Sequence, residues 1–120
     1  MEEYFALVSE LESADIDLSA EEILRLISNE AVRTTIRYLQ GRSETTLEQL
    51  AAIVAAVTAT ETGAIATEID YETARTSLYH ATLPRLDHYG FLAFHPDDGT
   101  VDDVSIPPVI YSCLEIERSE

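Results

Sequence analysis

Apolar residues recur every three or four positions along most of this chain, which predicts a mainly helical protein. Residues 2–13 have enough apolar positions for a short amphipathic helix. Residues 19–22, Ser-Ala-Glu-Glu, have the sequence of a capping box, so we expect a helix to begin there and to end at Gly41. The apolar stripe changes phase within that span, and we expect Ser28-Asn29 to divide it into two helices.

A second capping box predicts a well-buried helix in the middle of the chain. Residues 46–49, Thr-Leu-Glu-Gln, form this box, and apolar residues at helical spacing continue from it to about Ala59. Residues 60–69 predict a loop, after which Asp70 is expected to cap the next helix. This helix has Pro84 near its end. Because proline lacks an N–H and disfavours helical geometry at the residue before it, we expect a kink or a restart there.

The last part of the chain predicts a β-hairpin followed by a helix. Residues 91–95 have the composition of a strand, residues 96–99 that of a turn, and residues 100–104 that of the partner strand. Ser105 and the prolines after it then open a final helix with one apolar side.

This order of elements is typical of a winged helix-turn-helix domain. We therefore expect a mainly α fold with a small β-hairpin, in which the helices pack beside a two- or three-stranded antiparallel wing. The predicted divisions are an N-terminal helical extension at 1–19, a winged-helix domain at 20–104 and a C-terminal helix at 105–120.

The composition indicates a single soluble domain. A chain of 120 residues with 46% hydrophobic residues fits one hydrophobic core, and no apolar run approaches the ~18 residues that would cross a bilayer. The N-terminus is acidic where a signal peptide would be basic. Cys113 is the single cysteine, so an internal disulfide cannot form, which favours a reducing cytoplasm.

The charge changes this picture most. There are 23 acidic residues against seven basic ones, a formal net charge of −16, and every basic residue is arginine. Such a charge destabilises a compact domain by self-repulsion, which molar salt largely screens because the Debye length there is about 3 Å. The carboxylates are spread along the chain, so we interpret the composition as an adaptation to a halophilic interior. An acidic protein with a basic partner is the alternative.

Two stretches, residues 31–43 and 73–86, contain no acidic residue and hold five of the seven arginines. They must form the least negative surface, and the second stretch belongs to the expected recognition helix. Carboxylates are also rare in buried segments, so packing against a neighbouring helix is the alternative explanation. The candidate DNA contacts are Arg33, Arg37, Thr73, Arg75, Thr76, Ser77 and His80.

Helical geometry supports this choice. If Ala74 and Leu78 face the core, the hydroxyls and the imidazole of the second stretch lie on the opposite face, where they can reach phosphates or base edges. Arg75 is expected to pair with guanine or phosphate. The turn of the hairpin is acidic instead, so we expect the wing to stay away from the phosphates.

Residues 78–86 have the pattern Leu-Tyr-His-x-x-Leu-Pro-x-Leu, followed by glycine and a hydrophobic step into a strand. With residues 26–33 and 46–51, this pattern resembles a haloarchaeal winged helix-turn-helix family over roughly residues 20–104. The resemblance implies a winged-helix fold and a role in transcriptional regulation. It implies no catalytic residue. Members of that family often have a run of arginines after Ser-Asn-Glu, and here only Arg33 and Arg37 remain.

No catalytic constellation, metal-binding spacing or phosphate-binding loop is recognisable, so we expect neither an enzyme nor a cofactor. The three histidines lack the further ligands that a metal site needs. The sequence favours a regulator that binds double-stranded DNA as a homodimer through its terminal helices. Packing of those helices on their own domain is the alternative for the dimer. A winged-helix module that binds protein and not DNA is the alternative for the function.

Overall fold

A computed structural model describes residues 19–118 of the chain. The helices are α1 (Ala20–Ile27), α2 (Glu30–Leu39), α3 (Leu47–Glu61), α4 (Glu68–Ser77), α5 (Leu83–His88) and α6 (Pro108–Arg118), with a π-helical turn at Leu78–Thr82. The strands are β1 (Thr45–Thr46), β2 (Ala93–His95) and β3 (Thr100–Asp102). The helix expected at 2–13 lies outside the described residues.

The first two helices are separated where the change of phase predicts a break. The Ser19 hydroxyl accepts from the N–H of Glu22 and caps α1, and the Asn29 side chain accepts from the N–H of Val32 and caps α2. Gly41 has a φ of +80°, a left-handed conformation that glycine adopts without a steric penalty. The predicted first capping residue, the break and the stop are confirmed.

The third helix begins at the predicted cap and the fourth does not. The Thr46 side chain accepts from the N–H of Gln49 at the start of α3. Asp70 was expected to cap α4, but Thr67 is the N-cap, and Asp70 is the third helical residue. Its carboxylate accepts from the Thr67 N–H while the Thr67 hydroxyl accepts from the Asp70 N–H, which completes a capping box. The helix therefore begins earlier than predicted.

The three strands form one antiparallel sheet in the order β1-β3-β2. In β3, Val101 pairs with Thr45 of β1 on one side and with Phe94 of β2 on the other. The hairpin between β2 and β3 is the predicted wing, with strands shorter than the predicted spans. The strand that adds to the hairpin is β1, whose two residues directly precede α3. The sheet and the helices are therefore covalently connected at this point.

One continuous core joins the helices to the sheet. Its largest fully buried side chains come from α1, α2, α3, the π-helical turn, α5 and α6: Ile23, Ile27, Val32, Ile36, Leu39, Leu47, Leu50, Leu78, Leu83, Leu86 and Ile110. Helices packed beside a small antiparallel sheet, with the hairpin projecting after the longest helical segment, make a winged-helix fold.

The last helix packs on its own domain. Ile110, Cys113 and Leu114 on α6 are buried, and the helix contacts α1 and α2. These are apolar side chains of the helix that the sequence suggested for a dimer interface. In the part of the chain that the structure describes, these side chains therefore pack against their own domain, which is the alternative that the sequence left open.

Candidate nucleic-acid interface

The helical segment after α3 is the expected recognition helix, and its geometry is set by Pro84. Proline has no N–H to donate to the carbonyl four residues earlier. The chain widens into a π-helical turn before it, where the N–H of Leu83 donates to the carbonyl of Leu78 five residues back. Leu83 itself keeps helical torsion angles, with φ −69° and ψ −42°. The expected irregularity at Pro84 is thus a wider turn within an unbroken helical path.

One side of α4 is buried and the other is exposed. Ala74 of α4 and Leu78 of the following π-helical turn are buried, as the sequence predicts. The exposed side forms a shallow concave surface, which we call the α4 face, lined by Ile69, Glu72, Thr73, Thr76 and Ser77. Three of the predicted contacts, the two threonines and the serine, are thereby brought together on one surface.

Arg75 is exposed but does not line the α4 face. Its Nε lies 3.5 Å from Glu48 Oε2 at the start of α3, and both side chains are about half exposed. An exposed pair of this kind contributes little to stability and can exchange its partner. Arg75 is therefore held by a carboxylate in the position where the sequence predicts a guanine or phosphate contact.

His80 belongs to a different surface. It lies in the π-helical turn, where its ring meets Tyr79 edge-on with centroids 4.9 Å apart. Tyr79 in turn meets Phe94 of β2 edge-on at 5.8 Å. His80 lines a depression between the helix and the wing, together with Tyr79, Pro84, Asp87, His88, Phe94 and Pro96. The predicted site is thus divided between two neighbouring surfaces.

The two candidate arginines of α2 have different environments. Nη1 of Arg33 donates to the carbonyl of Ile27 at 3.0 Å and to that of Ser28 at 2.8 Å. These are carbonyls at the end of α1 that lack partners within their own helix, so Arg33 caps α1. Arg37 is exposed. Of the two, Arg37 has the side chain positioned for a partner outside the domain.

The wing carries a carboxylate cluster organised around one histidine. His95 Nε2 lies 3.0 Å from Asp102 Oδ1, and this hydrogen bond, with the negative charge of Asp102, raises the pKa of His95. Thr100 donates to Asp98 Oδ1 from its hydroxyl at 2.7 Å and from its N–H at 3.0 Å, which lowers the pKa of Asp98. The lowered pKa favours the charged form of Asp98, which repels phosphate.

A second carboxyl pair joins α2 to the end of α3. Glu30 accepts a hydrogen bond from the Thr58 hydroxyl at 2.9 Å. A hydrogen bond with Glu61, and then the one from Thr58, lowers the pKa of Glu30, while the same Glu30 contact raises the pKa of Glu61. One proton shared between two carboxyl groups explains the opposite directions. Within the described part of the chain, no cluster of three or more histidine, cysteine or acidic side chains is placed to hold a metal ion.

The sequence interpretation missed two exposed apolar side chains at the start of α4 and in the loop before it. Ile65 is 88% exposed and Ile69 is 76% exposed, at the loop before α4 and in its first turn. A signal was present, because Ile69 lies five residues before Ala74 and so falls roughly on the opposite side of the helix. Glu72 was missed as well, because it lies one residue before the acid-free stretch that begins at Thr73.

Comparison with known proteins adds a family. The family described as a domain of unknown function (DUF7344) matches residues 24–102. The chain belongs to this family. No curated protein and no solved structure matches it. The matched residues run from α1 to the end of β3, so the DUF7344 domain includes the α4 face, α5 and the wing. Among residues 19–118, no helix is both long enough and apolar enough to cross a membrane.

Proposed function

We propose that this protein binds double-stranded DNA and regulates transcription, with residues 71–83 as its recognition helix. The observation that carries the proposal is the exposed α4 face on the helix that a winged-helix fold places in the major groove. Its hydroxyl groups are uncharged and can form hydrogen bonds with phosphates or with base edges.

We further propose that binding takes place in the cytoplasm of a halophilic archaeon. A net charge of −16 with no lysine supports a host with molar salt inside, and the lone Cys113 supports a reducing compartment. In molar salt the gain from counterion release is small, so arginine–phosphate contacts contribute little and binding depends on direct contacts and water release. The proposal is therefore compatible with the acidic wing. It is also compatible with the intramolecular partners of two arginines, since Arg33 binds carbonyls at the end of α1 and Arg75 binds Glu48.

The homodimer is part of the same proposal. Two recognition helices about 34 Å apart would meet successive major grooves on one side of the duplex. Because Ile110 and Leu114 are used inside the subunit, the interface must draw on other surfaces. Light scattering coupled to size exclusion at about 2 M KCl tests the homodimer, with twice the mass of 13.3 kDa expected and a single-chain mass as the contrary result.

The direct test of DNA binding is selection from a random duplex library with the full chain at about 2 M KCl. We expect a common sequence to be enriched. Thr76→Asp, which adds a negative charge to the α4 face, should weaken binding to that sequence at least tenfold with an unchanged melting temperature. Ser112→Asp adds the same charge to an exposed position of α6 and should leave binding unchanged. No enrichment at any salt concentration would refute the proposal.

A protein-interaction module is the second candidate, and the exposed isoleucines favour it. Two large apolar side chains at 88% and 76% exposure are unusual on so acidic a surface. In that case Ile65→Ser with Ile69→Ser should abolish binding of a protein partner, while DNA selection should yield nothing. Enrichment of a DNA sequence that Thr76→Asp weakens would decide against this candidate.

A further inference from the structure

The α4 face is lined by a distinctive set of side chains. It contains one large apolar side chain, two threonines with a methyl and a hydroxyl each, one serine and one carboxylate. Arginine, lysine, asparagine and glutamine are not among its lining residues. Arg75, the arginine of α4, is paired with Glu48 beside this face.

Each base pair presents a different pattern in the major groove. Guanine is recognised mostly by arginine or lysine, and adenine by asparagine or glutamine, through paired hydrogen bonds. Thymine offers a methyl group that packs on apolar side chains or threonine methyls, and cytosine offers an amino group that donates to a carboxylate. The side chains of the α4 face match the two pyrimidines.

We infer that the α4 face recognises duplex DNA through pyrimidine edges, with Ile69 and Thr73 against thymine methyls and Glu72 accepting from a cytosine amino group. This inference rests on the proposed DNA-binding function and adds to it the bases that the helix selects. Duplex DNA is the occupant that fits, because every lining residue of the face lies on one helix and the major groove admits one helix.

The position of Glu72 sharpens the inference. A carboxylate beside phosphates is repelled unless a donor satisfies it, so Glu72 would disfavour sites that offer it no amino group. Ile69 also favours particular sites. Its side chain is 76% exposed, so burial against a thymine methyl group contributes favourable binding free energy. Neither interaction depends on counterion release, so both persist in molar salt, where arginine–phosphate contacts are weakened.

The test uses the duplex enriched by selection at about 2 M KCl. Deoxyuridine, which lacks only the methyl group, replaces thymine at one position at a time. At the contacted thymine, affinity should fall about fourfold, the contribution of one buried methyl group. Ile69→Ala should remove this difference between thymine and deoxyuridine. Ile65→Ala, a matched change in the preceding loop, should preserve the difference.

Glu72 is tested by repeating the selection with Glu72→Gln. The wild-type chain should enrich a cytosine at one position, and the variant should lose that preference while still folding and binding. If a duplex is bound but every deoxyuridine changes affinity by less than about 1.5-fold, pyrimidine recognition is wrong and DNA binding stands. If no duplex is enriched, both proposals fail.

Discussion

His95 Nε2 on β2 lies 3.0 Å from Asp102 Oδ1 on β3, so an imidazole–carboxylate pair joins the two strands of the wing. The carboxylates of Asp98 and Asp103 add to the field that favours the charged imidazole. The pKa of His95 is therefore raised above its ordinary value of 6.5 in the folded protein.

This raised pKa predicts a pH dependence of stability. A group whose pKa is higher in the folded state stabilises that state fully below its unfolded pKa and loses the effect as pH rises through the folded pKa. The melting temperature of the wild-type chain should thus exceed that of His95→Gln below about pH 6.5, and the difference should vanish at higher pH. His88→Gln, an exposed change elsewhere, is the control. A difference that grew with pH would contradict the assignment.

The buried hydroxyl of Thr35 predicts a stabilising substitution. Thr35 is fully buried in α2, and among the described side chains its Oγ1 is buried without a hydrogen-bond partner. Thr35→Val replaces this hydroxyl by a methyl of similar shape and should raise the free energy of unfolding by about 1 kcal/mol. Thr35→Ser keeps the hydroxyl, loses the methyl and should lower it by a similar amount. Urea unfolding measures both, and a loss for the valine variant would contradict the prediction.

Gly41 predicts a conformational cost. Its φ is +80°, and an added Cβ would meet nothing within 4 Å, so the backbone alone decides the outcome. Gly41→Ala should lower the free energy of unfolding by about 1 kcal/mol. Gly41→Asn should lower it less, because asparagine tolerates this conformation better. Equal losses would point to a cause other than the torsion angle.

Arg33 and Arg37 should separate stability from binding. Arg33→Gln removes two hydrogen bonds to the end of α1 and should lower the free energy of unfolding by about 1–2 kcal/mol. The exposed Arg37→Gln should change it by less than about 0.5 kcal/mol and should weaken binding to the selected duplex. If both variants lose stability equally, the capping role of Arg33 is wrong.

The net charge predicts stabilisation by salt. Repulsion within a chain of charge −16 weakens as the Debye length falls from about 8 Å at 0.15 M salt to about 3 Å at 1 M. The melting temperature should therefore rise by several degrees between 0.15 M and about 2 M KCl. A chain with Glu44→Gln and Asp97→Asn, both exposed, should gain less from salt. A melting temperature independent of salt would contradict the proposed adaptation.

Much of the local structure was predictable because it depends on neighbours in sequence. The caps at Ser19 and Thr46, the break before α2 and the hairpin follow from side chains three or four positions apart, or from turn residues. The cap of α4 was misplaced because Asp70 qualifies for either role in a capping box. Only the preceding Thr67 decides which role it takes.

The sequence by itself determined the fold class, the buried side of each predicted helix in the described region and the acid-free stretch at residues 73–86. Only the tertiary structure decided the third strand, the packing of α6 on its own domain and the partners of the arginines. The reason is that these depend on how separate elements are oriented against one another, which the local pattern of residues does not specify. A long arginine side chain reaches whichever carbonyl or carboxylate folding brings near, so Arg33 meets the end of α1 and Arg75 meets Glu48.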